Sequence, residues 1–288
     1  MNKLQERILE VFNHIDKVCR DNNITYFAIG GTCLGAVRHQ GFIPWDDDID
    51  IAIPVEDFER FLKVAKKELP EYLVIHNGNN VTRFSPVFTK IMDTRTTFIE
   101  KCDAPYPKSY KGVFVDIMPI SGIPENKKER KKFYRVINSL LVLNCLRRFP
   151  ARNMKTFKRR IASSFLHILD SFIPENYFSK KWMDILLKYP FAQSKYTGYV
   201  WAQKIVEKLT YKSEIFLKQV PKKFESSTIM CPDGWEVFLS KMFGDYMEFP
   251  PAENRVSGHY GLVDLEHSYK KYQRHPELVK KFFEEKGK

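Results

Sequence analysis

The chain lacks any run of the roughly 18–20 apolar residues that a membrane-crossing helix needs. Residues 1–23 interleave charged and apolar side chains and contain no signal-peptide h-region, so a cytoplasmic location is expected. Cysteines are few: Cys19, Cys33, Cys102, Cys145 and Cys231 are odd in number and never spaced as CxxC. That pattern argues against a disulfide framework and against a structural zinc site, and leaves the thiols as small apolar side chains. No internal repeat and no low-complexity linker interrupts the 288 residues, a length that suits one large domain or a core with an attached lobe. Acids are nearly missing from one stretch. Between Lys127 and Arg160 thirteen bases face the single acid Glu129, which accounts for the whole net charge of +12. If a polyanion or a membrane surface is met anywhere, it is met there.

What is present reads as a mixed fold. Apolar positions at helical spacing predict a helix over 3–22, followed by a short strand at 24–29. Gly30-Gly31-Thr32 turns into a second helix near 30–39, with Gly41 in the place of a helix-ending glycine. The alternation of DIDIAI predicts a strand at 48–53, and Pro54 begins a helix to about 69. Strands are expected at 71–77, 87–99 and 113–118, then three helices over 127–189 broken near Pro150 and Pro174. A strand pair (196–202 with 224–231), a helix at 234–243, a Pro- and Gly-rich loop and one charged terminal helix complete the order. The class is α+β, a small mixed sheet flanked by helices with an inserted helical lobe. The expected division is a catalytic core over 1–124, a basic helical lobe over 125–195, and a part over 196–288 that packs back on the core to complete the site.

The chemistry concentrates in GGTCLGAVRHQGFIPWDDDIDIAI, residues 30–53. On a strand Asp48 and Asp50 project from one face roughly 7 Å apart, and Asp46 shares their parity if the strand starts early. Adjacent carboxylates repel unless a cation lies between them, and hard oxygen ligands suit Mg²⁺ (or Mn²⁺). A solvated acidic turn is the plain alternative, but these acids interleave with Ile where core residues belong. Asp116 stands in the otherwise apolar run Val113–Met118, where a lone buried carboxylate is costly. On a strand beside 48–53 it would complete a three-carboxylate metal cluster; otherwise it caps a helix or pairs with a buried Arg. Gly30, Gly31 and Thr32, between a strand and a helix N-terminus, have the composition of a phosphate cradle.

The order of strand, GG[ST] helix, DxD strand and later strand with a third Asp resembles the nucleotidyltransferase fold of the polymerase β type. The fuller string, with GVFVDIMPI and the late MFGDYMEFPPAENRVSGH, resembles the LicD family. The resemblance implies transfer of phosphocholine, or a related phospho-alcohol, from a CDP-linked donor such as CDP-choline. The implied acceptor is a sugar hydroxyl of a surface glycan such as teichoic acid or a capsular or lipopolysaccharide, free or lipid-linked. It places Asp48, Asp50 and Asp116 at the metal-binding and catalytic positions, Asp46 as a further ligand, and Gly30, Gly31 and Thr32 at the donor phosphates. Arg38 and His39 close the glycine helix, where positive charge suits the helix dipole or a donor or acceptor phosphate. Trp45 stacks on a base, faces a choline cation or simply packs; Tyr246, Arg255 and His259 of the late motif would close the pocket from a loop.

Two other functions stay open. The same fold could transfer a nucleotidyl group and release pyrophosphate, or the chain could be a non-catalytic polyanion binder needing none of the acids. A nucleic-acid partner is not expected. Residues 133–149 and 157–173 combine apolar faces with clustered bases, so they either pack as an ordinary subdomain or lie peripherally on an anionic inner leaflet, through Arg147, Arg148, Arg159 and Arg160.

Overall fold

The computed structural model describes residues 1–77, 89–101, 103–148, 156–169, 172–174, 176–199, 209–257 and 261–286. Helix α1 (Lys3–Asp21) starts at Asn2, whose side chain accepts from the Gln5 amide while the Gln5 side chain returns to the Asn2 N–H, a capping box. Its stripe of Ile8, Val11, Phe12, Ile15, Val18 and Cys19 is buried in the main core. Strand β1 shrinks from the expected 24–29 to Phe27–Ala28, which pair with Ala52 and Ile51 of β2 (Asp50–Pro54). Between them runs α2 (Gly30–Arg38). The left-handed residue after α2 is Gln40 (φ 57°), not Gly41; Gly41 is needed because a Cβ there would collide with the Glu225 carboxylate.

Helix α3 (Val55–Glu68) leads to β3 (Leu73–His76) and β4 (Thr89–Asp93). The single strand expected at 87–99 is in fact two. The Asp93 carboxylate accepts the Arg95 backbone N–H at 2.9 Å and its guanidinium at 2.7 Å, folding residues 93–96 into a turn. Beyond the turn β5 (Thr97–Glu100) pairs with the distant β11 (Gly261–Asp264). Strand β6 (Phe114–Ile123) is longer than expected and buried throughout. The main sheet runs β1-β2-β6-β4-β3, with β7 (Tyr196–Tyr199) on β6 and β8 (Tyr211–Lys212) on β7. Only β2 and β6 pair in parallel, so the sheet is mixed. Among the described residues the expected pairing of 196–202 with 224–231 does not form. Instead β9 (Gln219–Phe224) and β10 (Ser227–Pro232) make their own hairpin around Glu225 (φ 55°), a local closure with little loop entropy to overcome.

Helices α4 (Lys127–Arg148), α5 (Phe157–Leu169) and α6 (Tyr177–Leu186) follow β6. Phe133, Tyr134, Ile137 and Leu141 of α4 are buried with Trp182 and Leu186 of α6, so the apolar face of α4 is core and not lipid-facing. Arg147 is also turned inward, donating to the carbonyls of Ile173 at 2.6 Å and Pro174 at 2.9 Å, which removes it from any membrane-contacting set. After α7 (Trp235–Phe243), the one terminal helix expected is split into α8 (Tyr269–Arg274) and α9 (Pro276–Lys286) at Pro276, which has no N–H to continue the ladder. Among the described residues no helix is long and apolar enough to cross a membrane.

Candidate active site

The parallel ladder sets Asp50 of β2 directly opposite Asp116 of β6, and the antiparallel ladder on the other edge sets Lys90 of β4 opposite Asp116. An acid, an acid and a lysine thus form one row across three neighbouring strands. Asp48 lies just ahead of β2, in the approach to the strand. Burial, then the charges of Asp48 and Asp116, hold the Asp50 carboxyl well above the usual carboxylate range; Asp46 pushes the same way and Lys90 opposes. Burial also raises Asp116, against the pull of Lys90. Lys90 Nζ donates to Asp116 Oδ2 at 2.9 Å, while Oδ1, 2.8 Å from the same nitrogen, is buried outside hydrogen-bonding geometry. The ammonium also sits 3.3 Å from the centroid of Phe114.

Lys90 is a site residue that the sequence reading missed. Its signal was weaker than that of Asp116: a lysine beside Ile91 and Met92 in a strand, Thr89–Asp93, that also carries Thr89 and Asp93. Asp116 is paired with a buried cation, as its plain alternative supposed, but the cation is a lysine and the acids still meet.

The glycine turn lies directly under the acids. Gly30 has φ +54° and a Cβ there would stand 3.7 Å from Asp50 Oδ2; a Cβ on Gly31 would stand 2.6 Å from Asp46 Oδ2. The missing side chain of Gly31 is therefore room for the Asp46 carboxylate, while Gly30 is favoured by its left-handed backbone. The Thr32 hydroxyl accepts the Asp50 backbone N–H at 2.8 Å and pins α2 to the start of β2. Gln5 holds the acidic loop from the other side through the Asp46 carbonyl at 2.8 Å, and Glu225 accepts the Phe42 N–H at 3.0 Å.

The late motif closes over this loop. Arg38 donates to the carbonyls of Tyr246 and Glu248 at 2.8 and 2.9 Å, and its guanidinium lies 4.6 Å from the Phe249 centroid. Arg255 lies 5.4 Å from Phe249 and 5.7 Å from Trp45, and His39 meets both rings edge-on. Arg38, His39, Trp45 and Arg255 thus converge on Phe249, which the sequence reading passed over inside MEFPP. Tyr246 joins through its carbonyl, its ring turning instead to Trp235. The Ser257 hydroxyl bonds the Asp47 carboxylate, tying the loop to the acids. His259 lies outside the described residues. Burial and the neighbouring Arg255 lower Arg38, and burial with Arg38 keeps His39 below its ordinary value.

Among the described residues, no three His, Cys, Asp or Glu side chains are gathered closely enough to hold a metal ion as they stand. The donors nevertheless fit a hard divalent cation: they are all carboxylates, crowded enough to raise Asp50, and they include a buried Asp116 oxygen with no hydrogen bond. A groove of about 660 Å³ between α3 and β3, lined in part by Lys63, Lys66 and Lys67, does not touch these acids.

Residues 23–140 match the family model described as LicD/FKTN/FKRP, nucleotidyltransferase domain. The chain is 28% identical over 262 residues to the lipopolysaccharide cholinephosphotransferase LicD of Haemophilus influenzae, covering 87% of this chain and 92% of that protein. An uncharacterized protein of Rickettsia prowazekii is 38% identical over 90 residues, a quarter of this chain and 32% of that protein. One of Rickettsia typhi is 53% identical over 58 residues, 18% of its length. The glycine turn, Asp46, Asp48, Asp50, Lys90 and Asp116 thus all lie within the stretch that matches the LicD family model.

Proposed function

We propose that this chain transfers phosphocholine, or a related phospho-alcohol, from a CDP-linked donor to a hydroxyl of a cell-surface glycan, in a nucleotidyltransferase-type arrangement over residues 1–124. The observation that carries the reading is the row Asp50–Asp116 on paired strands, with Asp48 at its head and the glycine turn beneath. In the reaction the acceptor oxygen forms a bond to the donor's choline-phosphate phosphorus, the bond from that phosphorus to the CMP oxygen breaks, and CMP leaves with the electron pair. The hydroxyl proton goes to Asp116, whose burial-raised carboxyl holds a proton better than a free aspartate.

An anionic diphosphate cannot approach four crowded acids unless cations intervene. Lys90 supplies one positive charge. Arg38 and Arg255, held on Phe249 with no carboxylate partner among the described residues, supply two more at the loop side, where a donor or acceptor phosphate would meet them. Mg²⁺ or Mn²⁺ held by Asp48, Asp50 and Asp116, with Asp46 as a further ligand, would supply Lewis-acid neutralisation of the reacting phosphate. The relative from Haemophilus influenzae, named for cholinephosphate transfer to lipopolysaccharide, supports phosphocholine as the group to test first.

The test is to incubate the protein with CDP-choline, CDP-glycerol or CDP-ribitol and a glycan acceptor, and separately with CTP, and to identify what is released. Acceptor-dependent CMP is the expected product. Pyrophosphate from CTP, without CMP from any CDP-alcohol, would replace this reading with nucleotidyl transfer.

A further inference from the structure

Helix α5 turns its apolar side outward. Its inner side is fixed by Ser163, fully buried, whose hydroxyl donates to the Leu146 carbonyl of α4 at 2.7 Å. At the helical repeat Phe157, Ile161, Phe165 and Ile168 fall within an arc of about 80°, roughly opposite Ser163. They are 75%, 56%, 60% and 72% exposed, and Phe172 beyond the helix end is 82% exposed. A helix of a globular protein ordinarily faces such a stripe to the core; here the stripe is exposed. Exposed Lys158 and Arg160 flank it on either side, and residues 156–169 contain no acid.

We infer that α5 is a membrane-docking helix that lies in the interface of an anionic bilayer, with Phe157, Ile161, Phe165 and Ile168 in the acyl boundary and Lys158 and Arg160 at the phosphates. The charge pattern selects this occupant. A protein partner or a second copy would cover the apolar stripe without needing an acid-free basic border, whereas an anionic lipid surface satisfies both features at once. Long basic side chains beside the stripe can keep their charges at the headgroups while their stems follow the apolar residues down. The inference is confined to α5, since α4 buries its apolar face and Arg147 is used internally. It goes beyond the transfer reading and needs no turnover, so the two can fail separately; a lipid-linked acceptor would give the docking its use.

The full chain would be sedimented with phosphatidylcholine vesicles, with and without phosphatidylglycerol, at low and high salt. Binding is expected only with phosphatidylglycerol, falling about tenfold or more at high salt. Replacing Phe165 and Ile168 together by Ser should reduce it at least about tenfold while the far-ultraviolet circular dichroism and acceptor-dependent CMP release stay unchanged. If that pair disturbs folding, Phe157→Ser at the first helical turn serves instead. Wild-type protein that ignores anionic vesicles at low salt overturns the inference. So does undiminished binding by a folded serine variant, which would mean adsorption through charge alone. A dimer that the serine variant dissociates, with vesicles ignored, would assign the stripe to a second copy.

Discussion

Lys90 is the residue whose loss tests the site most sharply. It is 3% exposed and its ammonium contacts both oxygens of Asp116, itself nearly inaccessible. Lys90→Met keeps the alkyl stem against Phe114 and removes only the charge. Breaking one half of a buried ion pair costs about 3–5 kcal/mol, because the remaining charge stays desolvated. For a chain of 288 residues that corresponds to a fall of about 5–8 °C in Tm, using the usual unfolding entropy per residue. The pH dependence has a definite sign. Lys90 is what pulls the Asp116 carboxyl down against its burial. Without it the folded-state pKa rises further, so the variant is least affected at low pH and loses stability as pH rises past the ordinary carboxylate value. Asp116→Asn strands the lysine instead, and the double variant Lys90→Met/Asp116→Asn should be markedly more stable than the sum of the two losses predicts. Added Mg²⁺ should raise the Tm of Lys90→Met more than that of the double variant, because only the former keeps the third carboxylate. Thermal unfolding of the four proteins across pH, with and without Mg²⁺, reads all of this. Additive losses, or a Lys90→Met protein as stable as wild type at pH 8, would refute the argument that this pair is buried and coupled.

Asp48→Asn and Asp50→Asn should each reduce transfer by more than the roughly hundredfold typical of losing an outer-shell partner of a metal, and activity within tenfold of wild type would exclude a ligand role. Because burial, Asp48 and Asp116 raise Asp50, the metal-free Asp50→Asn protein should equal or exceed wild type in stability above the ordinary carboxylate pKa, and show no gain well below it; urea unfolding at the two pH values checks the sign. Excess EDTA should stop CMP release, with recovery in Mg²⁺ or Mn²⁺ but not in Zn²⁺ alone, since no Cys or His belongs to the proposed ligand set; full turnover in EDTA would contradict it. Gly31→Val should leave the chain folded, because the obstructing atom is the end of the Asp46 side chain, but displace that carboxylate and raise the donor KM or abolish turnover; unchanged donor kinetics would make the glycine merely structural.

The acids were legible because charge is costly in an apolar strand, and that cost marks a position whatever the strand pairs with. Asp50 and Asp116 were found this way, and the expectation that Asp116 would lie on a strand beside the DxD strand matches the parallel β2–β6 ladder. The same logic reaches Lys90 only in part, because Thr89 and Asp93 interrupt the apolar residues around it. The long strand written over 87–99 hid the lysine's local context, because the turn at 93–96 depends on Asp93 capturing its neighbour Arg95. Strand partners separated by long stretches of chain were not legible at all. The pairing of β5 with β11, and of β7 with β6, leaves no local trace that a hydrophobic period can report. Phe249 was passed over for a related reason. Only its neighbours in space, Arg38, Trp45 and Arg255, distinguish it from any loop phenylalanine.

These contacts also explain why the acids come from one half of the chain and their closure from the other. Four carboxylates gathered at the end of one sheet repel one another, and the fold counters this repulsion in stages. Lys90 neutralises Asp116 from the adjacent strand, and the glycine helix places its N-terminal end beneath Asp46 and Asp50, where its dipole favours negative charge. Ser257 then reaches Asp47 from the late loop, and Glu225 and Gln5 fix the backbone on which the acids ride. Each device holds an acid in place without cancelling the field that Asp48 and Asp116 exert on Asp50. Under the proposed transfer, that residual negative field would let a divalent cation and a phosphate bind together more favourably than either alone. A fully neutralised site would be more stable and would have nothing left with which to assemble the reaction.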